Sequence, residues 1–317
     1  MPPALRAGMI PERNSSSGVR CAVGEQVAVG QNAAAVPSGW RWRAGGYLRL
    51  LHPFPVAMNG VAAAAFALLA HRGWPGTARV ALIVAAIVGS QAAVGVVNDL
   101  RDRDLDAIAK PSKPLIAGRA SVAGAYVLGA LALVVALVAG VALGVRSLAL
   151  VVAMTAAGLV YDLWLKRTAF SALPYVLGLP ILPIWAWICV RGAPPRLWFT
   201  YPLGVLIGFG LHLANALPDA ERDAEGGIRG IVQVVGKRTA RALCIGSFAL
   251  TLGVVAALVR SHGGMVVVLI ACAAVLLAVA AIGAAVRPTV AVLQRNWGLL
   301  IGCAMCIAAA WLRSLSS

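Results

Sequence analysis

Beyond residue 50 the chain alternates long apolar runs with short polar connections. The runs fall near 53–71, 79–97, 121–144, 147–162, 170–190, 197–216, 239–260, 264–286 and 294–312. Roughly 20 residues of helix, at about 1.5 Å each, cross a hydrocarbon core. The pattern predicts an all-α membrane protein with nine transmembrane helices, the fourth being the shortest. Residues 1–45 mix Gly, Ser, Pro, Ala and Arg without periodicity. They predict a disordered N-terminal extension ahead of a helical domain over 46–317, and they lack the continuous apolar core of a secretory signal.

Composition agrees. The 317 residues are 61% hydrophobic and 12% charged, with a mean hydropathy of +0.86. Soluble domains carry about 25% charged residues, so half of the usual solvating charge is missing. A net charge of +16 would suggest nucleic acid in a soluble protein. Here the basic residues stand singly between apolar runs, so attraction to headgroups and membrane orientation explain them instead. With the tail and alternate loops on one side, that side holds 20 of the 27 Lys and Arg. The positive-inside rule then places the N-terminus in the cytoplasm and the C-terminus outside, in the cell membrane. Cys189, Cys244, Cys272, Cys303 and Cys306 lie within apolar runs and Cys21 in the tail, so the six cysteines form no disulfide framework.

The acids are few and clustered. Asp99, Asp102, Asp104 and Asp106 form one group, and Asp219, Glu221, Asp223 and Glu225 another, which accounts for 8 of 11. Acids beside apolar segments are costly, which makes them functional candidates. The first group reads NDLRDRDLDAIAKPSKP from Asn98. At about 100° per helical residue, Asp99, Asp102 and Asp106 share one stripe and Asp104 opposes it. Carboxylates at that spacing repel each other, so a positive group belongs among them. The second group reads NALPDAERD from Asn215. Asn215, Asp219 and Asp223 share a face, Glu221 points away, and Pro218 should kink this helix end. GGIRG then stops it. Carboxylates with side-chain amides are oxygen ligands suited to Mg²⁺, and neither cluster contains the His or Cys that zinc prefers. The local negative excess could hold two divalent cations, and these a diphosphate. All of these acids, with Asp162, fall on the predicted cytoplasmic face.

Between the clusters, YDLWLKR supplies Tyr161, Lys166 and Arg167. Lys166 could offset the charge of a departing diphosphate, and the Tyr161 ring could stabilise a carbocation or its hydroxyl bond a carboxylate. Lys110, Lys113 and Arg119 are further candidates for phosphate or headgroups, and Arg167 for either role. Asn59, an amide inside an apolar helix, needs a partner.

These residues resemble the UbiA superfamily of intramembrane prenyltransferases. The family's first motif, Asn-Asp-x-x-Asp-x-x-x-Asp, is matched at Asn98, Asp99, Asp102 and Asp106. Its Asp-x-x-x-Asp motif is matched at Asp219 and Asp223, with Asn215 one turn earlier. Its Tyr and Lys-Arg between the motifs are matched by Tyr161, Lys166 and Arg167. RLLHPFPVAMN looks like the family's opening segment, with Asn59 at the usual asparagine. The resemblance covers about residues 48–312, in the style of the Ala-rich actinobacterial branch. His52 stands where many members have Arg, KPSKP replaces the usual Arg-Pro sequence, Asp162 follows Tyr161, and GIRGIVQVVGKR lacks the frequent Thr-Leu.

The resemblance implies a nine-helix bundle around a central apolar cavity. It implies two Mg²⁺ held by Asn98, Asp99, Asp102, Asp106, Asp219 and Asp223, gripping an isoprenyl diphosphate. Ionisation would leave an allylic cation for a nucleophilic acceptor, with Asp99, Asp102, Tyr161 and Lys166 in catalytic roles. Asn59, Asn98, Lys110, Lys113, Arg119, Arg167 and Asn215 would contact substrate. By family frequency the acceptor would be aromatic, of the quinone-precursor type. A terpene cyclase of the same fold, needing no acceptor, is the alternative. A cation transporter would place charges within the spans, and a CDP-alcohol phosphotransferase needs an Asp-Gly-x-x-Ala-Arg pattern that the chain lacks. His71, His212 and His262 read as packing residues, with His212 one turn before Asn215, and Trp40, Trp42, Trp74, Trp198 and Trp297 as interfacial anchors.

Overall fold

The computed structural model describes residues 39–259 and 263–315. A short helix α1 (Trp40–Leu50) precedes α2 (Pro53–His71) and α3 (Thr77–Arg101). α1 begins inside the segment assigned above to the extension. Residues 1–38 lie outside the described ones, as does His262. After α4 (Arg103–Ala109) come α5 (Val122–Ala142) and α6 (Val145–Val160), the latter continued by a π-helical turn at Tyr161–Leu165. α7 (Leu173–Gly178) and α8 (Ile181–Ile188) follow, then α9 (Thr200–Ala216) with a 3-10 turn on either side. α10 (Ala220–Glu225) and α11 (Ile231–Val235) are short, and α12 (Lys237–Val259), α13 (Gly264–Val286) and α14 (Val290–Leu315) complete the bundle.

Eight helical stretches are long and apolar enough to cross a membrane: α2, α3, α5, α6 with its π turn, α9 with its flanking turns and α10, α12, α13 and α14. The fifth apolar run departs from a continuous span. Pro180 and Pro183 lack the N–H that a continuous ladder needs, and Pro180 separates α7 from α8. What the sequence shows as one 170–190 span is therefore a broken pair, Leu173–Ile188. α8 is buried nearly all round, with Leu182, Ile184, Trp185 and Trp187 in the core. Both indoles find partners: Trp185 Nε1 donates to Ser147 Oγ at 2.8 Å and Trp187 Nε1 to the Gly192 carbonyl at 3.0 Å. Burial of such large rings stabilises only when the N–H is satisfied.

Small residues let the helices approach. At Gly89 of α3 a Cβ would stand 2.5 Å from the Ala132 carbonyl oxygen of α5, so the two backbones nearly touch. Ser90 and Thr155 join α3 to α6 through a buried 2.7 Å hydrogen bond, as polar side chains commonly do between membrane helices. The outcome is positional. The C-terminal ends of α3, α6 and α9 meet on one face of the bundle, and each ends in one of the polar segments singled out above.

Candidate active site

α3 ends at Arg101, and Asp102 leaves the helical conformation before α4 resumes at Arg103. The stripe survives this break. Asp99, Asp102 and Asp106 are buried, while the Asp104 side chain is fully exposed. The expected positive group is present twice over. Lys113 Nζ bridges Asp99 Oδ1 at 2.8 Å and Asp106 Oδ2 at 2.6 Å. Lys166 Nζ donates to Asp102 Oδ2 at 2.6 Å and to Asn98 Oδ1 at 2.5 Å, while Arg167 Nη2 donates to Asp102 Oδ1 at 2.8 Å. Burial pushes the Asp102 carboxyl up, but Lys166 and Arg167 more than offset it and hold it below its ordinary range. Burial lowers the Lys113 ammonium likewise, and Asp106 and Asp99 hold it above its usual value.

The π turn explains how Lys166 arrives. Its amide bonds the Tyr161 carbonyl five residues back, at 2.8 Å. Such a turn widens the helix end and re-aims the side chains after it, a feature frequent at functional sites. Asp162, on the same turn, is buried and stands 4.0 Å from Lys166.

The second acidic segment is built differently. Pro218 closes α9 with a 3-10 turn at Leu217–Asp219, and Gly227, at φ 72°, follows the end of α10. Among the described residues, Asp219 pairs only with its neighbour Arg222, at 3.2 Å, and remains 44% exposed. Glu221 points away, as its wheel position predicts, and pairs with Lys237 at 2.6 Å. Asp223 lies within electrostatic reach of Lys166 and Lys110, and Tyr161 within reach of both Asp102 and Asp223. The two distant segments therefore face one loop. Asn215 is half-buried one turn before Asp219.

Two candidates have other partners. Asn59 Nδ2 donates to the Pro55 carbonyl within its own helix at 2.9 Å. Arg119 lies with its guanidinium 5.7 Å from the Trp42 ring, on the α1 side of α5. Sequence reasoning also passed over several residues. His52, in the left-handed conformation at φ 51°, puts Nε2 3.1 Å from Asp99 Oδ1. Its position as the unusual replacement for an arginine was the available signal. His212 is buried, bonds Ser171 Oγ through Nε2 at 3.0 Å, and packs 4.9 Å from the Tyr175 ring and 6.1 Å from Tyr161. No spacing in the sequence brings these rings together.

Among the described residues, no three His, Cys, Asp or Glu side chains converge into a metal cluster on their own. The donor chemistry nonetheless fits Mg²⁺. Five aspartates on two segments supply hard oxygens, and the cations now on them are the protein's own lysines and arginine.

Comparison with known proteins bears on the family and the fold. Residues 59–300 match the UbiA prenyltransferase family. The chain is 30% identical over 222 residues to a digeranylgeranylglyceryl phosphate synthase of Methanoculleus marisnigri, covering 68% of this chain and 77% of that one. Among solved structures, a UbiA homologue of Aeropyrum pernix K1 superposes with a TM-score of 0.66 at 19% identity, over 80% of this chain and 96% of that one. A UbiA homologue of Archaeoglobus fulgidus, solved with GPP and Mg²⁺, gives 0.63 at 19% identity over 85% and 99%. With an all-helical fold of membrane-spanning helices and the family match over most of its length, the chain belongs to the UbiA prenyltransferase family and is a multi-pass membrane prenyltransferase.

Proposed function

We propose that the protein is a Mg²⁺-dependent enzyme that moves an isoprenyl group from an isoprenyl diphosphate to a nucleophilic acceptor, releasing diphosphate. The observation that carries this reading is the loop at Tyr161–Arg167. Its lysine and arginine hold Asp102, while Asp223 of the other segment lies within reach of Lys166. Asn98, Asp99, Asp102, Asp106, Asp219 and Asp223 would hold two Mg²⁺. When bound, the metal ions would neutralise diphosphate charge and make it a better leaving group. The residues themselves do the rest. Lys113, Lys166 and Arg167 can exchange a carboxylate partner for a phosphate oxygen without moving far, because both are anionic acceptors for the same N–H groups. Lys110 is exposed and free to follow. The Tyr161 ring lies beside Tyr175 and His212, an aromatic wall suited to a developing cation. Asn215 contacts substrate from α9. The basic bias of the loops supports a cytoplasmic aspartate face, an inside N-terminus and an outside C-terminus.

For the acceptor, family frequency supports an aromatic quinone precursor. The likeness to the digeranylgeranylglyceryl phosphate synthase of Methanoculleus supports a second reading, a hydroxyl of a glyceryl phosphate. One experiment tests all of this. Purified protein is given geranyl, farnesyl or geranylgeranyl diphosphate, with and without Mg²⁺, alone or with 4-hydroxybenzoate or geranylgeranylglyceryl phosphate. Diphosphate release is followed and the lipid products are weighed by mass spectrometry. Mg²⁺-dependent release that needs an acceptor is the expected result, and the product mass assigns it. Release without an acceptor, yielding a cyclic hydrocarbon or alcohol, would replace transfer by cyclisation. No release from any combination would overturn the proposal.

A further inference from the structure

Asp162 arrives on the π turn with Tyr161 and Lys166, yet no role described above uses it. It is 8% exposed. Among the described residues, every other buried carboxylate has a direct donor. Lys113 donates to Asp99 and to Asp106, and Lys166 and Arg167 donate to Asp102. Asp162 accepts no hydrogen bond. Its partner Lys166 stands 4.0 Å away, beyond hydrogen-bonding range, and donates to Asn98 and Asp102 instead. Taking a carboxylate out of water without a donor is costly, and a group that persists there calls for a donor from outside the chain. The carboxylate is also reachable, since neither of its oxygens is fully enclosed.

Its neighbours decide what that donor is. Asp162 lies within electrostatic reach of Tyr161 and Tyr175, two rings of the aromatic wall. It lies within the same reach of Asp102, Asp99 and His52. In the transfer reading above, the diphosphate sits on the aspartates and the allylic cation against the rings. A carboxylate within reach of both adjoins the carbon that the acceptor attacks. Such an acceptor must also lose a proton, and a base within hydrogen-bonding reach of that proton accelerates the step.

We propose that Asp162 is the catalytic base of the transfer step, taking the proton from the hydroxyl of an acceptor that is alkylated on oxygen. The proposal rests on the transfer reading and names the reacting group of the acceptor. The allylic C–O bond breaks and its electron pair leaves with the diphosphate. A lone pair of the acceptor oxygen forms the new C–O bond to the allylic carbon. The O–H pair stays on that oxygen as an ether lone pair, and the proton passes to the Asp162 carboxylate and then to solvent.

The full-length protein is given geranylgeranyl diphosphate and Mg²⁺ with geranylgeranylglyceryl phosphate or, separately, 4-hydroxybenzoate. Ether product and isoprenyl alcohol are quantified by mass spectrometry. Wild type should form the ether with at least one acceptor. Asp162→Asn should lower kcat for the ether by about 100-fold or more, with the acceptor KM and the half-maximal Mg²⁺ concentration within about threefold of wild type. The ratio of isoprenyl alcohol to ether should rise. Asp162→Gly should recover at least about tenfold in ether formation when formate is added, because a free carboxylate can replace a base but not a structural tether. Thermal unfolding of Asp162→Asn should not begin lower than in wild type, since no hydrogen bond is lost. Undiminished ether formation, absence of formate rescue, or a Mg²⁺ requirement raised by about tenfold or more would overturn the base, the last by making Asp162 part of the metal site. Alkylation at a ring carbon would overturn the hydroxyl assignment and leave the transfer reading standing. Wild-type protein that transfers to neither acceptor would overturn this role, and diphosphate release in the same assay would show whether donor ionisation survives it.

Discussion

The two acidic segments carry the same residue types at similar spacing, yet the fold treats them in opposite ways. Asp99, Asp102 and Asp106 are buried and already neutralised by Lys113, Lys166 and Arg167. Asp219 pairs with a neighbouring arginine and is nearly half exposed. The difference follows from what each helix end meets. The first segment lies against the loop that carries Lys113 and the π turn that delivers Lys166. The second follows Pro218 into short helices that, among the described residues, reach another segment through the Glu221–Lys237 pair alone. A charge buried without a partner costs several kcal/mol, so the first segment requires its lysines, while water serves the second. The first segment is therefore held by the protein's own cations, and the second is largely left to water.

The largest effects should come from removing a carboxylate on either side. Asp102→Asn and Asp223→Asn should each lower Mg²⁺-dependent turnover by about 1,000-fold or more, the scale at which loss of preorganised charge is felt. Their stabilities should separate the two halves. Asp102→Asn strands Lys166 and Arg167, and its thermal unfolding should begin several degrees lower. Asp223→Asn should unfold like wild type. Equal loss of stability in both would erase the distinction.

Lys166→Met comes next, with turnover lower by about 100-fold. It also gives an acid-stability test on metal-free protein. Lys166 and Arg167 hold the Asp102 carboxyl below 3.8, its unperturbed value. A carboxyl held low in the folded state stabilises above the unfolded value, and that contribution fades as pH falls through the folded one. Without Lys166 the folded value rises toward 3.8, so the variant should be less stable than wild type at neutral pH and should lose less on acidification. An acid profile of unchanged shape would show that Lys166 does not govern Asp102.

Lys113→Met should have a smaller and more diagnostic effect. Lys113 and a divalent cation compete for Asp99 and Asp106. The metal-free variant should lose stability through repulsion between the two carboxylates, and Mg²⁺ should restore more of it than in wild type. Turnover should fall by about tenfold if the lysine also meets the diphosphate. Thermal unfolding with and without Mg²⁺ reads the first effect and diphosphate release the second.

Much of this was legible in the sequence because the fold is set by helix periodicity in a membrane. Asp99, Asp102 and Asp106 are buried and Asp104 exposed, as the helical wheel requires, even though the helix breaks at Asp102. Glu221 and Pro218 likewise behave as their positions predict. What stayed hidden depends on backbone detail or tertiary approach. A proline pair turned an apparent span into α7 and α8, because Leu182–Trp187 is buried inside the bundle instead of facing lipid. The left-handed turn at His52 and the π turn at Tyr161 each re-aim a side chain, and neither has a sequence signature. Arg119 reads from the sequence as a candidate for phosphate or headgroups, and its 5.7 Å approach to the Trp42 ring is a tertiary contact that no spacing announces.

The smallest expected effect tests the wheel assignment itself. Glu221 and Lys237 make one of the shortest ion pairs of the second segment, at 2.6 Å, yet their side chains are 76% and 54% exposed. Short distance alone does not make an exposed pair important, since water and salt screen it. Glu221→Gln should therefore leave turnover within about twofold of wild type, in contrast to Asp223→Asn two residues away. The contrast is informative because the two substitutions remove the same charge from the same short helix. If Glu221→Gln lost activity as Asp223→Asn does, net charge on the segment would be what matters. The face shared by Asn215, Asp219 and Asp223 would then have no special standing.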